Sequence, residues 1–241
     1  MMRSFRTIVS AIAVCAIVAL AVSTSQAATI LKMNLSSVGP DVAMNSAGTF
    51  GTTSDGIAAT TGDQNTDVEF TGFLDPMFTD ITTGDASFTI SGPLVANPAP
   101  TAVSGPVVVQ GFTSQGNLAT FSLYGPGNTL LLKGPTGGGT LTGTLGPPGT
   151  GAFFTTTLQT VTGGSLAPLI APGSVSLSIN LTNINGGLGL SLNPLGEIQL
   201  NSFTSDGFVS ISADQVPEPA TIGMILVGVM ISAASVRRSR R

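Results

Sequence analysis

The chain's fullest set of hard oxygen donors is Asp63-Gln64-Asn65-Thr66-Asp67-Val68-Glu69. Asp63, Asn65, Asp67 and Glu69 alternate with other residues, so an extended backbone places their oxygens on one side. That pattern suits Ca²⁺, and a structural calcium ion is the cofactor it would imply. The run departs from an EF-hand, because Val68 stands where the turn glycine belongs and Leu74 occupies the twelfth position. A solvated acidic loop is the commoner role for such a run. A pair of carboxylates can also hydrolyse glycosides without any other catalytic residue type. Asp67, Glu69, Asp75, Asp80, Glu197 and Asp206 are available for that, and no spacing selects a pair among them.

Other chemistries are excluded by residue type. The chain has no His and one Cys, Cys15. There is no Ser-His-Asp or Cys-His machinery and no ordinary zinc site. Gly134 to Thr140 is glycine-rich, yet it lacks the Lys-Ser/Thr pair of a phosphate-binding loop and leads into no helical pattern. Thr140, Thr142 and Thr144, with Thr155-Thr156-Thr157, are like the threonine rows of ice-binding faces, but no fixed period carries them along the chain. Threonine is also a good exposed strand residue.

The elements that must position these residues read as strands. Val175, Leu177, Ile179 and Leu181 alternate with Ser174, Ser176, Ser178 and Asn180, and the same period recurs at Val209, Ile211 and Ala213. Asn185-Gly186 and Asp206-Gly207 read as hairpin turns, which makes 174–213 a four-stranded meander. Further strands are expected at 29–35, 67–74, 86–91, 106–113, 117–124, 128–133, 140–145 and 152–158. The Gly- and Pro-rich stretches Val95–Pro106 and Lys133–Gly151 are expected as loops. The fold class is all-β: an antiparallel β-sandwich or jelly-roll-like body over 28–215. It would be flanked by an N-terminal signal helix and a C-terminal transmembrane helix.

The two ends differ from this body in charge and hydropathy. Six of the eight basic residues lie in them, which leaves Lys32 and Lys133 against eleven acids in the body, a net charge of −9. A body so acidic has no phosphate-binding footprint, so nucleic acid is not an expected partner. At the N-terminus, Arg3 and Arg6 precede an apolar run to Val22, and Ser25-Gln26-Ala27 presents small residues to a signal peptidase. Cleavage is expected between Ala27 and Ala28, so 1–27 is a signal peptide. At the other end Val216-Pro217-Glu218-Pro219 precedes an apolar run from Ala220 to Val236, then Arg237, Arg238, Arg240 and Arg241. As a helix that run covers roughly 25 Å, the lower limit for crossing a bilayer core. The arginines hold its end in the cytoplasm, and the prolines keep the preceding segment extended.

These three tail features, in this order, resemble the PEP-CTERM sorting domain of exported bacterial surface proteins. The resemblance covers 216–241 alone and implies nothing about the fold of the body. It implies recognition of the Pro-Glu-Pro segment by an exosortase-type transpeptidase, removal of the tail, and transfer to the cell surface or the extracellular polysaccharide. The functional expectation is therefore a non-enzymatic exported protein, held in the membrane by its tail until processing. The alternative is a calcium-dependent glycan- or protein-binding module at the cell surface.

Overall fold

The computed structural model describes residues 28–58, 65–73, 86–100, 102–117, 119–147, 151–170, 175–193 and 199–213. The expected signal segment 1–27, including Ala27, and the expected sorting tail 216–241, with its motif and its arginines, lie outside the described residues, as does Asp63. Among the described residues no helix is long and apolar enough to cross a membrane.

Alternating apolar residues, with β-branched and aromatic types among them, form fifteen strands among the described residues. They are β1 (Ala28–Leu35), β2 (Val42–Met44), β3 (Thr49–Thr52), β4 (Thr66–Phe73), β5 (Ala86–Ser91), β6 (Leu94–Ala96), β7 (Ala102–Ser104) and β8 (Val107–Ser114). After them come β9 (Thr120–Gly125), β10 (Thr129–Thr144), β11 (Ala152–Leu158), β12 (Ser176–Thr182), β13 (Leu192–Asn193), β14 (Gln199–Leu200) and β15 (Phe203–Ala213). The strands pair antiparallel, and the all-β expectation for the body holds.

Thirteen strands form one sheet that closes on itself. β10, β11, β12 and β15 lie side by side. The outer edges of β10 and β15 are each shared by two partners. Thr129–Pro135 pairs with β9 and Gly138–Thr144 with β8; Phe203–Ser205 pairs with β2 and Phe208–Ala213 with β1. Two routes therefore lead from β15 back to β10, one through β1, β4, β5 and β9 and the other through β2, β3, β6 and β8. Each closes a ring of hydrogen-bonded strands, where a sandwich would leave free sheet edges. β13 and β14 form a separate small ladder.

The predicted meander over 174–213 is not formed. β12 pairs directly with β15, Ser176 opposite Ser212 and Thr182 opposite Asp206. Asp206-Gly207 lies inside β15 and is not a turn. Leu35 packs over Gly207: a Cβ there would sit 2.8 Å from Leu35 Cδ1. Asn185-Gly186 does turn the chain, but through a left-handed series that starts at Asn183 and leads away from β12. The Asn185 amide fixes this turn, donating to the Gly189 carbonyl at 3.0 Å and accepting from the Thr204 N–H at 3.2 Å.

The predicted loop at Lys133–Gly151 is also corrected, since β10 runs on to Thr144. Its glycines mark close approaches. A Cβ on Gly139 would meet Phe154 Cζ at 2.3 Å, so the ring lies against bare backbone. Phe154 belongs to a cluster in which Phe50 stacks 4.3 Å from it and Phe112 meets it edge-on at 5.7 Å, with Phe203 6.3 Å from Phe50. These rings come from β3, β8, β11 and β15, so they join strands far apart in the ladder. Gln110 intrudes on this interior. Its amide nitrogen donates to the carbonyls of Asn97 at 3.1 Å and Gly111 at 2.9 Å, while its Oε1 has no partner.

Candidate functional site

On β5, Ala86, Phe88 and Ile90 are buried in the core, so Ser87, Thr89 and Ser91 take the opposite face. On β9, Phe121 and Leu123 are likewise inside, and Thr120, Ser122 and Tyr124 share the outer face. The ladder aligns these sets: Ser87 is opposite Tyr124, Thr89 opposite Ser122 and Ser91 opposite Thr120.

β10 adds a lysine to this surface by means of a bulge. Leu130 pairs with Tyr124, and the register then slips so that Leu132 pairs with Leu123 and Lys133 with Ser122. Strict alternation from Leu130 would aim Leu132 outward and Lys133 inward. The extra residue reverses this, so that Leu131 and Leu132 are both buried and Lys133 reaches the outer face. At the rim the chain turns through Pro126-Gly127-Asn128, where Asn128 adopts a left-handed φ of 59°.

The result is a cleft of about 410 Å³ lined by Asn65, Thr89, Ser91, Thr120, Ser122, Tyr124, Asn128 and Lys133. Asn65 accepts a hydrogen bond from Thr89 and so is held at the edge. Among the described residues, Ser91, Ser122, Tyr124 and Lys133 have no side-chain partner. Their donors and acceptors are open to a ligand. The arrangement offers one ammonium, one aromatic face and several hydroxyl and amide groups.

A second outer surface covers β10, β11, β12, β15 and β1. Thr140, Thr155, Ser178, Ser210 and Lys32 stand in one cross-strand row, and Thr157, Ser176, Ser212 and Thr29 in another. Thr29 and Ser212 hydroxyls are hydrogen-bonded at 3.2 Å. A shallow depression of about 300 Å³ lies between the rows, with Gly138 and Gly139 among its lining. Sequence inspection missed this alignment because the row is built from distant segments. It also continues through serines, so threonines are adjacent only at Thr140 and Thr155. A third row carries Thr142, Phe153, Asn180, Phe208 and Asn34.

Asp63, the first of the expected calcium donors, lies outside the described residues. Asn65 is engaged by Thr89, and Asp67 and Glu69 are exposed at successive outward positions of β4. No group of three or more acidic, His or Cys side chains is gathered to hold a metal ion among the described residues. Asp75, Asp80 and Glu197 lie outside the described residues; Asp206 accepts a hydrogen bond from Asn183 at 3.0 Å.

Asp41 is the carboxylate that sequence reading overlooked. It is only 2% exposed, in the turn between β1 and β2. Its Oδ1 accepts from Thr66 Oγ1 at 2.7 Å and from the Ser37 N–H at 3.0 Å. Burial raises its pKa above the ordinary 3.8; the bonds from Thr66 and Ser37 oppose the rise and the Asp206 charge adds to it. The bonds it accepts pin the β1–β2 turn to β4, which is a structural role. Compared with models of known families, with curated proteins and with solved structures, the chain matches none.

Proposed function

We propose that this protein is an exported, non-enzymatic component of the cell surface or extracellular matrix, delivered through its C-terminal segment. The observation that carries this reading is the order Val216-Pro217-Glu218-Pro219, apolar run, Arg237-Arg238-Ser239-Arg240-Arg241, opposite a signal-like N-terminus. Signal peptidase cuts between Ala27 and Ala28, and an exosortase-type enzyme acts at the Pro-Glu-Pro segment. Before that cut the apolar helix holds the protein in the membrane, with the arginines on the cytoplasmic side.

The body is compatible with loss of both ends. β1 begins at Ala28, and Ala28 pairs with Ala213, the last residue of β15. Cuts outside 28–213 therefore break no ladder between the described strands. Mass spectrometry of the surface fraction tests the reading. The mature form is expected to begin at Ala28 and to lack Arg241, and a host without the transpeptidase is expected to retain the tail in its membranes. An intact Arg241 on the released protein would refute the processing step.

A further inference from the structure

We propose that the cleft beside Lys133 binds an acidic saccharide, a carboxylate-bearing sugar unit of an extracellular polysaccharide. From the proposed function the inference takes only its setting outside the cell. Binding by the purified chain is decided whether or not the tail is cut.

Charge is the first argument. The body carries two lysines against eleven acids, so a free cation is scarce in it. One of the two, Lys133, is turned outward by a bulge into a cleft that has no acidic residue in its lining among the described residues. A bulge that re-aims a side chain in this way is a common device beside functional sites. The ammonium there is available for an anionic group from outside, and a charge-assisted bond to a carboxylate is among the stronger polar contacts.

The rest of the lining narrows the class of anion. A bare inorganic anion would meet Lys133 and leave Ser91, Ser122 and the Asn128 amide unmatched. A sugar ring brings hydroxyls that both donate and accept, which is what hydroxyl and amide side chains complement. Tyr124 brings an aromatic ring to the lining, the side-chain type on which the C–H face of a pyranose packs. The volume, about 410 Å³, lies within the range of small-ligand sites and suits one or two sugar rings.

The chain has one Tyr and no Trp, and that Tyr lines the cleft. Intrinsic tyrosine emission therefore reports on this site without a label. Purified full-length protein would be titrated with trigalacturonate, with maltotriose as the neutral counterpart and with inorganic phosphate. Trigalacturonate is expected to change the emission saturably and to bind about tenfold or more tighter than the other two, as loss of a charge-assisted contact implies. Lys133→Met should weaken trigalacturonate by a similar factor. Asn128→Gly keeps the left-handed turn and removes the amide; it should weaken binding about threefold. It serves as the test if the urea midpoint shows Lys133→Met to be misfolded. No saturable response to trigalacturonate overturns the proposal, as does wild-type affinity in Lys133→Met. Equal affinity for maltotriose removes the role of charge, and equal affinity for phosphate reduces the cleft to a simple anion site; either result overturns it.

Discussion

The first half of β10, Thr129–Pro135, and its second half, Gly138–Thr144, belong to one strand yet make unlike surfaces. In the first half a bulge buries two consecutive leucines and turns a lysine outward, and the surface there is concave and carries charge. In the second half glycines thin the strand until Phe154 lies against its backbone, and the surface outside is a shallow array of hydroxyls. The difference shows how one strand can serve two ends. Adding a residue to the ladder changes which side chains leave the core, whereas removing side chains changes how closely the core can approach.

The severest way to break this contrast is to restore a side chain to the second half. In Gly139→Val the new atoms would collide with the Phe154 ring, and the Thr155 carbonyl at 2.8 Å blocks retreat. The ring has to leave its cluster, so the expected loss is about 3–5 kcal/mol, comparable to deleting a buried phenylalanine. Urea unfolding monitored by circular dichroism measures it. Phe154→Ala should cost about as much alone, and Gly139→Val should cost much less in that background, because the two share one contact. Full additivity of the two changes would mean that the ring is not seated over Gly139. Lys133→Val in the first half should change the midpoint little, since its stem is only partly buried.

The contrast was legible in the sequence on one side only. Alternation over 86–91 and 152–158 gave those strands to the residue, because each inward position carries an apolar or tightly packed side chain. The glycine run 137–139 reads as a loop when composition is all that is seen, since its partners, Phe112, Phe154 and Gln159, come from other parts of the chain. Asp206-Gly207 misled for a similar reason: the dipeptide is a strong local turn signal, and the Leu35 side chain that packs over Gly207 is far away in sequence. Lys133 stood out as one of the two lysines of the body, but the bulge that aims it depends on the pairing of β9 with β10. Asp41 gave no signal, because its burial is decided by Ser37 and Thr66.

Binding sharpens the comparison next. If the cleft and the hydroxyl face are separate surfaces, Ser178→Ala and Ser210→Ala should leave trigalacturonate affinity within about twofold, the ordinary scale for a substitution away from a site. Lys133→Met should shift it about tenfold. A loss as large from Ser210→Ala would place the saccharide on the β12–β15 face and dissolve the distinction.

A smaller effect separates a charge that meets water from one that does not. Lys133 faces the cleft, and Asp41 is enclosed. Because the folded-state pKa of Asp41 is raised above 3.8, the native protein takes up this proton before the unfolded chain does. Stability from this group is therefore gained as pH falls through the raised value, and the gain is complete below 3.8. Asn can still accept the bonds from Thr66 and Ser37, so Asp41→Asn should fold. Urea midpoints at about pH 7 and about pH 4.5 should show wild type gaining on Asp41→Asn upon acidification, with the other carboxylates cancelling between the two proteins. An identical pH response would mean that the carboxylate is not desolvated.

The smallest expected effect comes from two neighbouring phenylalanines on β11. Phe153 is 44% exposed on the hydroxyl side, and Phe154 is fully buried. A strand sends adjacent side chains to opposite faces, so the same substitution tests both surfaces at one point in the chain. Phe153→Ser should change stability by no more than about 0.5 kcal/mol, because it removes few packed contacts and serine suits the surrounding row. Phe154→Ser should cost at least as much as Phe154→Ala, since the hydroxyl would be left among rings without a partner. If Phe153→Ser proved as costly as its neighbour, Phe153 would have to be covered in the folded protein, by another part of this chain or by a second copy. An unfolding midpoint that rose with protein concentration would then identify the second copy.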